Sequence, residues 1–308
     1  MKPIIGYLQH FVRSVNIPAF TAISLLTALL ITLNYTLGIE SRLMAIPSYG
    51  WRFTGFFLLF TFVYSSAWLI QFIFLRNQIL PKGFFMFLLL AAPAIFALKI
   101  TFDWFTRSLM QYLETPWNQY WYMVVNWPIK CLLVLVLVAL CWRRGKYEPP
   151  LAGMQLKGFN AKPYFLLLLM MVPLLAFAAT RPDFLVTYPK VERINFIHDY
   201  VQNSSWWKLL YEIAYGIDFI TIEFFFRGFL VIAFIRYAGT AAILPMAAFY
   251  CAIHFGKPLF ECITSYFGGI ILGVVVYNTR SIWGGLIVHL GIAWLMELGG
   301  YLGNLYLK

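Results

Sequence analysis

Nine stretches of this chain are apolar over a length close to or above that of a bilayer: residues 18–38, 53–75, 84–104, 120–142, 163–180, 207–235, 240–255, 263–279 and 281–302. A transmembrane helix needs about 20 apolar residues, with a range of roughly 17–25. Hydrocarbon offers backbone amides no partner outside their own segment. Runs of this kind therefore predict an all-α fold, a polytopic transmembrane helix bundle of about 8–9 spans, the lower number applying if one run is re-entrant. Composition agrees, with 62% hydrophobic and 11% charged residues against roughly 45–50% and 25% in soluble domains.

The first run follows Lys2 and Arg13. It is longer than a signal-peptide core and no small-residue cleavage pattern ends it, so it reads as a retained anchor. A cytoplasmic N-terminus then places Arg76, Lys82, Arg143, Arg144, Lys146, Lys157, Lys162, Arg236 and Arg280 inside, as the positive-inside rule favours. Arg42, Arg52, Arg107, Arg181, Lys190 and Arg193 fall outside with most loop acids. The net charge of +11 is dispersed beside the spans. That pattern excludes nucleic acid as a partner and favours the lipid bilayer with its anionic headgroups. An integral membrane protein of a bacterial inner membrane is expected.

Two polar connections, 143–162 and 181–205, divide the chain into an N-terminal transmembrane part, 1–162, and a C-terminal part, 163–308. Cys131, Cys141, Cys251 and Cys262 sit in or beside apolar runs without CxxC spacing, so they read as small packing residues rather than a metal or redox centre. Lys99 and Asp103, four apart, are expected to pair near a helix end, and Lys130 to reach the interface. Ser265, Gly269 and Gly273 recur at four-residue spacing, which lets a neighbouring helix approach closely.

The chemistry concentrates in the last third. Glu223 and Arg227 are four apart in an apolar helix and predict an ion pair on one face. Tyr250 and His254 repeat the spacing one run later, and His289 stands alone in the last run. Ionisable groups at membrane depth are costly and point to function. Two neutral imidazoles and a carboxylate could hold a divalent metal such as zinc, with His254, His289 and Glu223 as ligands. Alternatively they could position a water for the carboxylate to deprotonate.

These segments, Glu223-Phe-Phe-Phe-Arg227-Gly228, Tyr250 to His254, and Gly273 through Arg280 to His289, resemble the three motifs of the CPBP family. This family comprises the type II CAAX prenyl protease and bacteriocin-processing (Abi) intramembrane endopeptidases, with the pattern EExxxR, FxxxH, HxxxN. The resemblance spans about 207–302, the expected catalytic core, and implies peptide hydrolysis by glutamate- and histidine-activated water in a membrane-anchored or prenylated peptide or protein substrate. It gives Glu223 the second glutamate of the first motif, Arg227 its arginine, and His254 and His289 the two histidines. Ile222 replaces the first glutamate and Ala293 the asparagine.

Asp218 lies one helical turn before Ile222 and Glu297 one turn after Ala293, about 5.4 Å along the axis in each case. Asp218 is therefore a candidate base, with Glu297 as polar orienter, unless Glu223 is itself the base. Other classes the sequence allows are a homologue that binds a membrane protein or peptide without cutting it, and a secondary transporter using the same charges. Transport is disfavoured because the two halves show no internal symmetry.

Overall fold

The structure, a computed structural model, describes residues 2–76, 79–80, 83–156 and 158–306. Lys82 and Lys157, two of the expected cytoplasmic cations, lie outside the described residues. The helices are α1 (Lys2–Ser14), α2 (Ile17–Leu37), α3 (Ile39–Met44), α4 (Tyr49–Leu75), α5 (Phe84–Thr101), α6 (Asp103–Met110), α7 (Trp117–Arg144) and α8 (Lys162–Ala178), followed by α9 (Pro182–Thr187), α10 (Ser205–Ile222), α11 (Ala233–Ala238), α12 (Ile243–Ala252), α13 (Leu259–Thr279) and α14 (Trp283–Tyr306). Among the described residues there is no strand, and the fold is the expected all-α membrane bundle.

All nine apolar runs are helical. Among the described residues, six helical stretches are long and apolar enough to cross a membrane alone: α2, α4, α5 with α6, α7, α13 and α14. The run at 207–235 is one continuous rod, in which α10 passes through a π-helical segment, Glu223–Ile232, into α11. The run at 240–255 contributes only the ten residues of α12, and all ten are buried. A helix walled by protein on every side has no hydrocarbon thickness to match, which is how so short an element serves at the centre of the bundle.

Packing around α12 follows from side-chain size. Gly269 on α13 faces the backbone of Ala247, and Gly273 faces Ile243 and Met246, so the small-residue stripe lets α13 lie close to α12. Helices α2 and α4 close its other sides. Phe60, Tyr64, Phe96, Phe225, Phe226 and Phe249 fill the core with edge-on and tilted ring contacts. Next, α7 packs on α10, and α8 on α14.

A turn at Leu151–Gly153, with Ala152 at φ 45° and Gly153 at φ 76°, presses its backbone onto the π segment. Gly228 is required there, because a Cβ would overlap the Ala152 carbonyl oxygen. The widened helix and the intruding turn thus fit one another.

The two ends of the bundle differ in character. At one end Arg236 Nη1 donates to the Gly145 carbonyl (2.8 Å) and Gln155 Nε2 to that of Arg280 (3.1 Å). At the other, Asn34 Nδ2 donates to the carbonyl of Phe255 (2.9 Å) and Asn304 Nδ2 to that of Tyr188 (2.9 Å). These contacts fix the loops that carry His254 and Lys190.

Candidate active site

The π segment buries Glu223 and Arg227 completely, each 0% exposed. Their spacing gives the expected ion pair, with Arg227 Nη1 3.3 Å from Glu223 Oε1. The same oxygen accepts a hydrogen bond from His289 Nδ1–H on α14 (2.9 Å). The other, Oε2, has no hydrogen-bond partner among the described residues and lies over Gly285, where a Cβ would collide with it. Gly285 therefore makes room for the carboxylate one turn below the histidine that uses it.

Because a carboxylate only accepts, Nδ1 of His289 carries the proton and Nε2 is the acceptor of the neutral ring. That nitrogen meets the Tyr250 hydroxyl at 3.1 Å. Arg227 Cζ lies 3.9 Å from the centre of the Tyr250 ring, within cation–π range. His254, one turn after Tyr250, donates Nδ1–H to the Tyr250 carbonyl (2.8 Å), and its ring packs edge-on against the same phenol at 4.6 Å. Its tautomer is fixed too, leaving Nε2 as an acceptor.

Arg227, Tyr250, His254 and His289 line one cavity of about 810 Å³, together with Ile222, Ala293 and Asp218. That volume is within the roughly 300–1,000 Å³ of ligand pockets. Helix α5 supplies Phe96, Lys99 and Ile100, α8 supplies Met171 and Leu175, and the 181–190 connection supplies Arg181, Asp183, Tyr188 and Lys190.

The geometry bears on several of the expected roles. Glu223 is buried behind His289, apart from the residues that line the cavity. As for the metal, among the described residues no three His, Cys, Asp or Glu side chains gather as a set that could hold an ion. The reason is Tyr250: its phenol stands between the imidazoles, and both nitrogens of His289 are engaged by Glu223 and the hydroxyl. His254, His289 and Glu223 therefore do not fit as a ligand triad.

Asp218 reaches the cavity, as its spacing predicted, but it is paired with Lys99 of α5 at 2.7 Å. Lys99 is accordingly not the partner of Asp103, which instead lies near Arg107 (3.2 Å) and Arg52 (3.8 Å). Glu297 turns away from the site and accepts the Val191 N–H at 3.2 Å, so it orients the 190–199 segment and not His289. Lys130 points to the Ile100 carbonyl at 3.4 Å.

Sequence reasoning missed Tyr250 as a polar participant, the Lys99–Asp218 pair and the role of Gly285. The hydroxyl at 250 was the available signal, because phenylalanine, the residue of the motif, offers no such group.

The type II CAAX prenyl endopeptidase Rce1-like family model matches residues 204–295. This segment is Rce1-like. It holds the π segment, α12 and the part of α14 that bears His289, and the match agrees with the CPBP resemblance. No curated protein and no solved structure matches the chain. The Rce1-like family is a protease family, so at that level the chain is an integral membrane protein with the fold segment of a CAAX-type intramembrane peptidase.

Proposed function

We propose that the chain is an intramembrane endopeptidase that hydrolyses a peptide bond of a membrane-anchored peptide held in the cavity, with His254 as the general base. The observation that carries this reading is the pair of imidazoles with fixed tautomers on one cavity wall inside the Rce1-like segment. His254 Nε2 takes a proton from water, and the hydroxide oxygen adds to the carbonyl carbon. The negative charge on the former carbonyl oxygen faces the Arg227 guanidinium, because the Tyr250 hydroxyl proton is already donated to His289 Nε2. The C–N bond then breaks as His254 returns its proton to the departing amine, leaving a carboxylate and an amine. Glu223 holds the His289 tautomer, and His289 in turn positions the Tyr250 hydroxyl.

A positioned base contributes about 10²–10⁴-fold and a preorganised oxyanion donor about 10²–10³-fold. Localisation in a bacterial inner membrane with a cytoplasmic N-terminus follows the positive-inside reading. Arg143, Arg144, Lys146, Arg236 and Arg280 cluster at the end opposite the 253–258 loop, which supports it. In that orientation the cavity opens away from the cytoplasm, which favours an exported or surface-anchored peptide over a cytosolic prenylated tail.

A second reading rests on Ile222 and Ala293, which place hydrocarbon on the cavity wall where the motifs have a glutamate and an asparagine. In that case the cavity binds a peptide without cutting it. Comparing protein N-termini in host membranes, wild type against His254→Ala at equal expression, separates the two readings. Termini lost in the folded mutant support hydrolysis and name the substrate. An identical set refutes it.

A further inference from the structure

The mouth of the cavity carries more positive charge than negative. Its walls include Arg181, Lys190 and Lys257 against Asp183 and Glu261. Lys257 Nζ pairs with Glu261 Oε1 at 3.1 Å and donates to the Tyr188 hydroxyl at 3.0 Å. Among the described residues, no carboxylate lies within ion-pair distance of Lys190. Its ammonium is instead held over two aromatic faces, 4.5 Å from the centre of Tyr215 and 5.5 Å from that of Tyr188.

The backbone around it is rigidly placed. Tyr211 Oη donates to the Lys190 carbonyl (3.2 Å) and the next amide, Val191 N–H, is held by Glu297. Burial, and then the neighbouring charge of Lys257, lower the pKa of the Lys190 amine well below its usual value, so its charged form gains most from an anion brought beside it. An ammonium kept partly buried, aromatic-stacked and without a carboxylate is incompletely neutralised by the protein.

We propose that Lys190 is the binding site for the phosphodiester of an anionic phospholipid whose hydrocarbon chain lies in the apolar part of the cavity. Three observations favour this occupant. Leu174 and Leu175 of α8, Phe260 and Ile263 of α13, and Ile292 and Met296 of α14 continue the cavity as hydrocarbon beside the charged mouth. Lys190 stands at the end of the bundle where Trp206 is exposed, the depth of aromatic belts and headgroups. The cation is an ammonium, a point charge suited to phosphate, whereas planar bidentate capture of a carboxylate is the habit of arginine.

The test reads binding without turnover, so it stands apart from the peptidase reading. Dissociation constants of the purified full chain in neutral detergent would be measured for dioctanoyl phosphatidylglycerol, dioctanoylglycerol, and an octanoylated dipeptide with a free C-terminal carboxylate. The expected result is a Kd for the phospholipid about tenfold below that for the neutral diacylglycerol. Lys190→Met should abolish that preference and Lys190→Arg retain it. Equal affinity for the two lipids, or an undiminished preference in folded Lys190→Met, overturns the proposal. So does tighter binding of the acyl dipeptide than of the phospholipid, which would make the mouth a peptide-end site. Should Lys190→Met not fold, Lys190→Gln replaces it with the same expected loss and the same refuting result.

Discussion

Gly285→Ala tests the arrangement behind His289 with one added methyl group. A Cβ there would lie 3.2 Å from Glu223 Cδ and well inside van der Waals contact with Oε2. The carboxylate is 0% exposed, with Arg227 on one side and His289 on the other, so it moves only by lengthening one of its two contacts through Oε1. Loss of one hydrogen bond to a charged group costs about 1.5–3 kcal/mol. Replacing a mid-helix glycine by alanine returns about 0.8–1 kcal/mol. The net destabilisation is then about 0.5–2 kcal/mol, a fall in Tm of roughly 1–3 °C.

Cleavage should suffer more than stability, because misplacement of a catalytic group by about 1 Å costs on the order of 100-fold. The assay pairs thermal unfolding in detergent with turnover of the substrate named by the N-terminal comparison. Gly6→Ala on α1, where a Cβ meets nothing within 4 Å, is the control and should be neutral or slightly stabilising. A Gly285→Ala protein as stable and as active as wild type would refute the account of Glu223 as the group that fixes His289.

Other perturbations probe the remaining contacts. Tyr250→Phe removes only the hydroxyl at 3.1 Å from His289 Nε2; kcat should fall about 100-fold through lost positioning with KM little changed, and an unaltered kcat would remove Tyr250 from the mechanism. Lys99→Met strands the Asp218 carboxylate and should destabilise by about 2–4 kcal/mol, less than the full cost of a wholly buried unpaired charge. The double variant with Asp218→Asn should recover most of that loss in thermal unfolding, whereas additive losses would mean the pair is not coupled. Asp218→Asn alone should still cleave, and its inactivity would return the base role to Asp218.

Much of the bundle was legible because bilayer crossing imposes a length on each apolar run, and all nine runs are helical. The Glu223–Arg227 pair was legible for the same local reason, since spacing along one helix fixes which side chains meet. The π segment was not, because it depends on the Leu151–Gly153 turn pressing against Gly228 from a distant part of the chain. Lys99 was assigned the nearest acid in sequence, yet tertiary packing of α5 gave it Asp218. Glu297 has the spacing of an orienter, but a helix of this length also passes the 190–199 connection, and the Val191 amide claimed the carboxylate. Sealing of Glu223 behind His289 likewise depends on Gly285 and could not be read from spacing.

The cavity's walls have two origins. The histidines and the arginine come from the Rce1-like segment, while Phe96, Lys99, Met171, Leu175, Arg181 and Lys190 come from outside it. Two chains identical over residues 204–295 could therefore present the same histidines and arginine to quite different guests. The choice of guest can drift through substitutions in α5, α8 and the 181–190 connection without disturbing a single motif residue, so sorting such proteins by motif alone would group chains whose cavities admit different guests.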